Sequence, residues 1–207
     1  YISLDGPEVP IMDGSSKFFI EAIEEAKIID QNALREEFFP SEKISHKCED
    51  TGSVLSIIPD ETYKIETKID FNTKVLGTQT ASIDSMNEFK NEISAARTFS
   101  FLHELESLLE NGLIKGGDLK NAIVYVDKPL ADSNMDRLKK AFNKDSISVK
   151  PNGILDNLSL HYPNEAARHK LLDVIGDLAL IGMKIRGKVT AEKPGHSINA
   201  KFAQKIS

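Results

Sequence analysis

The sequence predicts an α+β fold: an antiparallel sheet with helices packed on one face, as a two-layer sandwich. Three observations predict it. Residues 62–71 alternate strictly, with Tyr63, Ile65, Thr67, Ile69 and Phe71 on one face and Lys64, Glu66, Lys68 and Asp70 on the other, as a half-buried strand does. Residues 166–183 are a long run that is apolar nearly all round, as a buried helix is. Strand-like runs follow one another without regular strand–helix–strand alternation, and no short repeat recurs.

The elements follow in order. Residues 1–5 read as a strand, and Pro7 and Pro10 keep the next segment extended. Residues 16–28 read as a helix through Phe19, Ile20, Ile23, Ala26 and Ile28, and residues 30–41 as a polar, acidic linker. A second domain opens at residue 42. Its strands are expected at 43–48, 53–58, 62–71 and 77–83, a meander. Asp84 or Ser85 caps a helix to about residue 96, and residues 97–101 break it from an amphipathic helix at 101–110 that Gly112 ends. Residues 115–118 form a loop, 121–126 a strand and 132–142 an exposed helix. Strands are expected at 146–149 and 154–162. After the central helix, with Asn164 as its N-cap, come a strand at 184–191, a loop at 193–196 and a last helix.

Composition bounds the function. A chain of 207 residues holds one full domain and part of another. The net charge of −6, without a basic tail, argues against a nucleic-acid partner. The single cysteine, Cys48, excludes an internal disulfide and a cysteine-based zinc knuckle, and fits a reducing compartment. No apolar run is long enough to make a transmembrane segment, and no signal peptide is present. Tyr1 in place of Met, and a last helix without a stop signal, read as cut ends, so a piece of a longer protein is expected.

The chemistry concentrates on the central helix. At about 100° per residue, His169, Asp173 and Asp177 share a stripe about 80° wide. Carboxylates and imidazoles on a buried helix need partners. A His and an Asp four apart therefore suggest a shared metal ion, and a plain His169–Asp173 ion pair is the alternative of equal weight from spacing alone.

Several uncommon phrases run along the chain. They are Gly6-Pro7-Glu8-Val9-Pro10-Ile11-Met12-Asp13-Gly14-Ser15, Ala96-Arg97-Thr98-Phe99, Gly112-Leu113-Ile114-Lys115-Gly116-Gly117, Arg168-His169-Lys170 through Gly176-Asp177-Leu178, and Gly195-His196. In this order they resemble the UDP-3-O-acyl-N-acetylglucosamine deacetylases of lipid A synthesis, over essentially the whole chain. The longer segment between Val126 and Tyr162 resembles the form fused to a 3-hydroxyacyl-carrier-protein dehydratase.

The resemblance implies a Zn2+ hydrolase of two similar α+β domains, acting in the bacterial cytoplasm on a UDP-linked, acylated glucosamine. It implies that residues 1–29 end the first domain and 42–207 form the second, with an acyl-chain insert at about 99–126. His169 and Asp173 match two of three zinc ligands. The third, a His preceded by a general-base Glu, lies upstream in the family, and no Glu-His pair occurs here. His196 matches the catalytic histidine, Asp177 the carboxylate that orients it, and Thr98 the hydroxyl beside the zinc. Lys170 matches a phosphate-contacting lysine, Asp70 and Phe71 resemble the pair that meets the uracil and nearby sugar, and Lys193 and Phe99 are expected among the other substrate contacts. Phe101, Leu105, Ile114, Gly117, Ala122 and Val124 match the slot for the acyl chain.

Plainer alternatives stand beside these. His196 also reads as a polar helix start, Asp177 as a surface charge, Thr98 as a helix cap, Lys193 as surface charge, Phe71 as a core aromatic, and the slot as ordinary helix-on-sheet core. His46, His103 and His161 match no family position and read as surface or packing residues. Two other classes remain open: a non-catalytic scaffold domain or degenerate paralogue, and another metal hydrolase on the same fold.

Overall fold

A computed structural model describes residues 2–104, 121–128, 136, 139 and 145–207. In chain order the elements are α1 (Lys17–Ala26), β1 (Glu37–Phe38), β2 (Ile44–Cys48), β3 (Ser53–Ile58), β4 (Tyr63–Asp70), β5 (Thr78–Ile83), β6 (Phe99–Phe101), β7 (Ile123–Tyr125), α2 (Glu165–Ala179), β8 (Lys184–Ile185), β9 (Gly187–Glu192) and α3 (His196–Ile206). This is the α+β content that the sequence predicts.

Five strands form the main sheet, in the order β2-β3-β9-β4-β5. Three of its pairs are antiparallel, but β4 and β9 are parallel, Ile65 standing against Val189. The sheet is therefore mixed. The physical reason is insertion: β9 returns after α2 and slots between β3 and β4, which are neighbours in sequence and not in the sheet. Alternation fixes which face a side chain takes; it says nothing about the direction of the partner strand.

One face of the sheet carries the core. Leu55, Ile57, Ile65, Ile69, Ile83, Val189 and Ala191 are fully or almost fully buried, as are Leu171, Val174 and Leu178 of α2 and Phe202 of α3. Burying each large aliphatic side chain contributes roughly 1.5–3 kcal/mol. Thr67, the one polar residue in the inward row of β4, donates its hydroxyl to the carbonyl of Ala167 at 3.1 Å and ties α2 to the sheet.

Several expected elements differ. Residues 2–5 carry no strand. The linker contributes β1, which pairs in parallel with β8. The helix expected at 85–96 is a 3-10 turn at Met86–Glu88 and a π-helical turn at Phe89–Ile93, with the Ser94 amide bonded back to Phe89. The expected break at 97–101 contains β6, paired in parallel with β7. Residues 146–149 and 154–162 form only isolated bridges, Tyr125 to Ile154 and Val149 to Leu155. Side chains take the carbonyls that a partner strand would use: Lys150 Nζ bonds Leu158 O, and Arg97 bonds Ser159 O. Asn164 stands at the N-cap of α2, its carbonyl accepting from the Arg168 amide, but its side chain makes no cap bond and instead bonds Thr80 O and Arg168 Nε. The helix expected at 132–142 and the loop at 115–118 fall outside the described residues.

A buried ion pair locks the approach to the central helix. Arg97 and Glu165 are 5% and 0% exposed, and the Glu165 carboxylate accepts from Arg97 Nε at 2.8 Å, from the Arg97 amide at 3.1 Å and from the His161 amide at 2.6 Å. Removing one partner of such a pair strands the other charge in the core, which typically costs about 3–5 kcal/mol. Glu165→Ala is expected to lower the unfolding free energy by an amount of that order, read as a lower urea midpoint. A midpoint unchanged from wild type would show that the pair does not hold this turn.

Candidate functional site

The buried pair leads directly to the site. Glu165 and Arg97 fix the turn before β6, and the carbonyl of Ala96 in that turn accepts from His169 Nδ1 at 3.0 Å. A carbonyl only accepts, so Nδ1 carries the proton and Nε2 keeps its lone pair. Desolvation, the largest influence, lowers the His169 pKa, with Asp173 acting in the opposite direction. The ring is thus held neutral and oriented, the state a metal ligand requires.

Asp173 stands one turn along α2. Its Oδ1 lies 3.5 Å from His169 Nε2, and its Oδ2 lies 2.9 Å from Lys170 Nζ. The Lys170 ammonium therefore engages Oδ2, while Oδ1 faces the unprotonated Nε2 of His169, two lone pairs turned toward one another. The same lysine stands 5.6 Å from the centre of the Phe99 ring, a cation–π arrangement. Among the described residues no group of three or more His, Cys, Asp or Glu side chains is placed to hold a metal. His169 and Asp173 supply two suitable donors, and a closed set needs at least one more.

Asp177 lies a further turn along, roughly 6 Å from Asp173 on the helix axis. It accepts from His196 Nδ1 at 2.9 Å and from Asn199 Nδ2 at 2.8 Å. That engagement argues against a free surface charge. His196 opens α3 directly after Gly195, and its ring is 71% exposed. With Nδ1 taken by Asp177, Nε2 is the nitrogen left to face outward.

The other residues named from sequence divide into groups. Thr98 follows the Ala96 carbonyl by two residues and is held on both sides: its amide donates to Gly14 O at 2.7 Å, and its carbonyl accepts from the Ile123 amide at 2.9 Å. Gly14 has a φ of +85°, and a Cβ there would meet the Asn121 carbonyl oxygen at 1.9 Å, so the close approach of the Gly14 loop to Asn121, beside Thr98, requires glycine. Lys193 lies with His196 along a cleft of about 350 Å³ that also includes Cys48 and Lys201. Its backbone is in the left-handed region, φ +50°, and its amide donates to Lys68 O at 2.8 Å. Asp70 closes β4 by accepting from the Asn72 amide at 2.8 Å.

Phe71 packs edge-on against Phe99 and Phe101, with ring centres 5.6 and 5.5 Å apart. Phe101 and Val124 are buried, and Ala122 is half-buried with its carbonyl taken by Asn157. Leu105, Ile114 and Gly117 fall outside the described residues. His103 bonds Asp127 at 2.9 Å, and His161 bonds the carbonyl of Ala95 at 2.9 Å. A larger cavity of about 410 Å³ opens on the opposite side of α2, between Ile175, Ala179, Tyr63 and Met86, away from the titratable groups above.

Three participants escaped the sequence reading: Arg97, Glu165 and Asn199. Arg97 stands inside the Ala96-Arg97-Thr98-Phe99 phrase, which was a usable signal. Asn199 gave none beyond its place one turn after His196.

The fold and the site define an α+β domain whose 15-residue helix carries a histidine–carboxylate pair and, one turn on, a second carboxylate bonded to an exposed histidine. The sequence profile described as UDP-3-O-acyl N-acetylglycosamine deacetylase matches residues 1–145 and 133–207, and the chain belongs to that family. It is 40% identical over 205 residues to the bifunctional enzyme LpxC/FabZ of Bacteroides thetaiotaomicron, covering 99% of this chain and 44% of that protein. It is 42% identical to the protein of the same name from Porphyromonas gingivalis, with the same coverage. The UDP-3-O-acyl-N-acetylglucosamine deacetylase of Myxococcus xanthus is 37% identical over 207 residues, 99% of this chain and 57% of that protein. The chain thus spans about half the length of these relatives. No helix among the described residues is long and apolar enough to cross a membrane.

Proposed function

We propose that the full gene product is a Zn2+-dependent deacetylase that removes the N-acetyl group from a UDP-3-O-acyl-N-acetylglucosamine in lipid A synthesis, in the bacterial cytoplasm. One observation carries the proposal: the His169–Asp173 pair and the Asp177–His196 pair lie one helical turn apart on the same face of α2. Family membership and the names of the relatives support it. The bifunctional relatives support a fused 3-hydroxyacyl-carrier-protein dehydratase as a further part of the gene product.

His169 and Asp173 would hold the metal with a donor from outside the described residues. A bound zinc supplies a water acidic enough to ionise near neutral pH and a Lewis acid for the amide carbonyl. Every other part falls to the chain's own groups. Asp177 holds the His196 ring through Nδ1–H with Nε2 projecting outward, and the imidazolium form of that ring, which carries a proton on both nitrogens, donates from Nε2 either to the developing oxyanion or to the departing amine. Thr98 stands close to the His169 turn. Lys170, fixed between Asp173 and the Phe99 ring, and Lys193 supply positive charge for the diphosphate in a protein that is acidic overall. Asp70, Phe71 and Phe99 offer a hydrogen-bonding and stacking edge for the uracil and sugar. The aromatic cluster around Phe101, continued by Ala122 and Val124, leads toward the acyl chain, and Leu105, Ile114 and Gly117 complete the proposed slot.

The test is acetate release by the full gene product. One acetate per UDP-3-O-acyl-N-acetylglucosamine is expected, suppressed by a chelator and restored by zinc, with a lower kcat/KM on the analogue lacking the 3-O-acyl chain. No acetate from zinc-loaded protein would favour a scaffold domain.

A further inference from the structure

We infer that Asn199 is a positioning residue for the reaction: it fixes the Asp177 carboxylate, which in turn aims His196. The inference rests on the role given to His196 above. Helix α3 buries Ile198, Asn199, Phe202, Ala203 and Ile206, and Asn199 is the one polar side chain in that row, with no exposed surface. Its Nδ2 donates to Asp177 Oδ2 at 2.8 Å. The direction is forced, because an ionised carboxylate only accepts.

Asp177 is therefore held by two donors from the first turn of α3, His196 Nδ1 at 2.9 Å and Asn199 Nδ2 at 2.8 Å. The two differ in how firmly they are placed. The His196 ring is largely exposed, with Asp177 as its hydrogen-bond partner, whereas Asn199 is fully buried. Without Asn199 the carboxylate and the ring would turn together, and the ring would lose its aim. The other end of the amide, Oδ1, is buried with no hydrogen-bond partner among the described residues. An amide kept in a core row with one end unpaired lowers stability, so an apolar residue would serve the fold better at this position. Stability is given up there for one donor directed at Asp177, as is common where local rules yield to function.

The rival account is that Asn199 merely ties α3 to α2. A double-mutant cycle on the zinc-loaded full gene product separates the two, with acetate release, KM, zinc content and melting temperature as readouts. Asn199→Leu and the smaller Asn199→Ala are both used, so that poor packing of one does not decide the result. Each is expected to lower kcat roughly 10–100-fold, the usual effect of removing an outer hydrogen-bond partner, with KM and zinc content unchanged. Introduced into His196→Ala, the same changes are expected to alter turnover by less than about two-fold, because the group they act through is gone. Normal turnover in both Asn199 variants, or a penalty that persists undiminished in His196→Ala, overturns the inference. Unchanged turnover in His196→Ala by itself overturns the role of that histidine and this inference with it. A strong loss there with none at Asn199 overturns the positioning role alone.

Discussion

On the proposed function, His169→Ala or Asp173→Ala is expected to remove tightly bound zinc from the full gene product and to abolish nearly all turnover. Catalytic zinc sites use three protein ligands and keep one position open, and either substitution leaves at most two. The loss should exceed the roughly 10–100-fold typical of an outer partner, since a direct ligand is taken away. The geometry makes the two residues a matched pair. Ala96 O holds the His169 proton on Nδ1, burial keeps the ring neutral, and Asp173 Oδ1 lies 3.5 Å from the free Nε2. Asp173→Asn is the sharper variant, because it keeps shape and removes charge, and it too should lose zinc. Metal analysis together with acetate release checks the prediction. Stoichiometric zinc and full turnover in either alanine variant would reduce the pair to a structural contact.

The central helix and most strands were legible because their signals are local. The 62–71 alternation became β4, and the apolar run at 166–183 became α2, shortened at its C-terminal end to Ala179. The stripe of His169, Asp173 and Asp177 also followed from helical period alone. What stayed hidden was the set of long-range partners. Nothing local in residues 184–191 says that they enter the middle of the sheet in parallel with β4. Phe99–Phe101 looked like a break because it is short, and its partner Ile123–Tyr125 lies across a long insertion. The buried Arg97–Glu165 pair joins residues 68 positions apart, and composition rules place both types on the surface. The pairing of His196 with Asp177 rested on a family resemblance until the fold brought α3 alongside α2. Asn199 was passed over because a single Asn in an amphipathic helix carries no sequence signature.

His196→Ala should lower turnover by roughly two to four orders of magnitude, the usual size for a general acid or an oxyanion donor, while zinc stays bound. Its position makes the test clean. The ring is 71% exposed, and truncating an exposed side chain usually changes stability by no more than about 0.5 kcal/mol. A fall in rate therefore cannot be charged to unfolding, and melting temperature checks this directly. His196 is also no part of the His169–Asp173 pair, so metal content should match wild type. Asp177→Asn should shift turnover the same way. It keeps the shape of the acceptor but removes the charge that both His196 Nδ1 and Asn199 Nδ2 approach, and the ring loses the anion that favours its charged, doubly protonated form and holds Nε2 outward. The polar helix-start alternative predicts the reverse pattern: lower melting temperatures and near-normal rates in both variants. Near-normal turnover in His196→Ala would leave a metal pair on α2 without an acid beside it, and the leaving amine would then need its proton from outside the described residues.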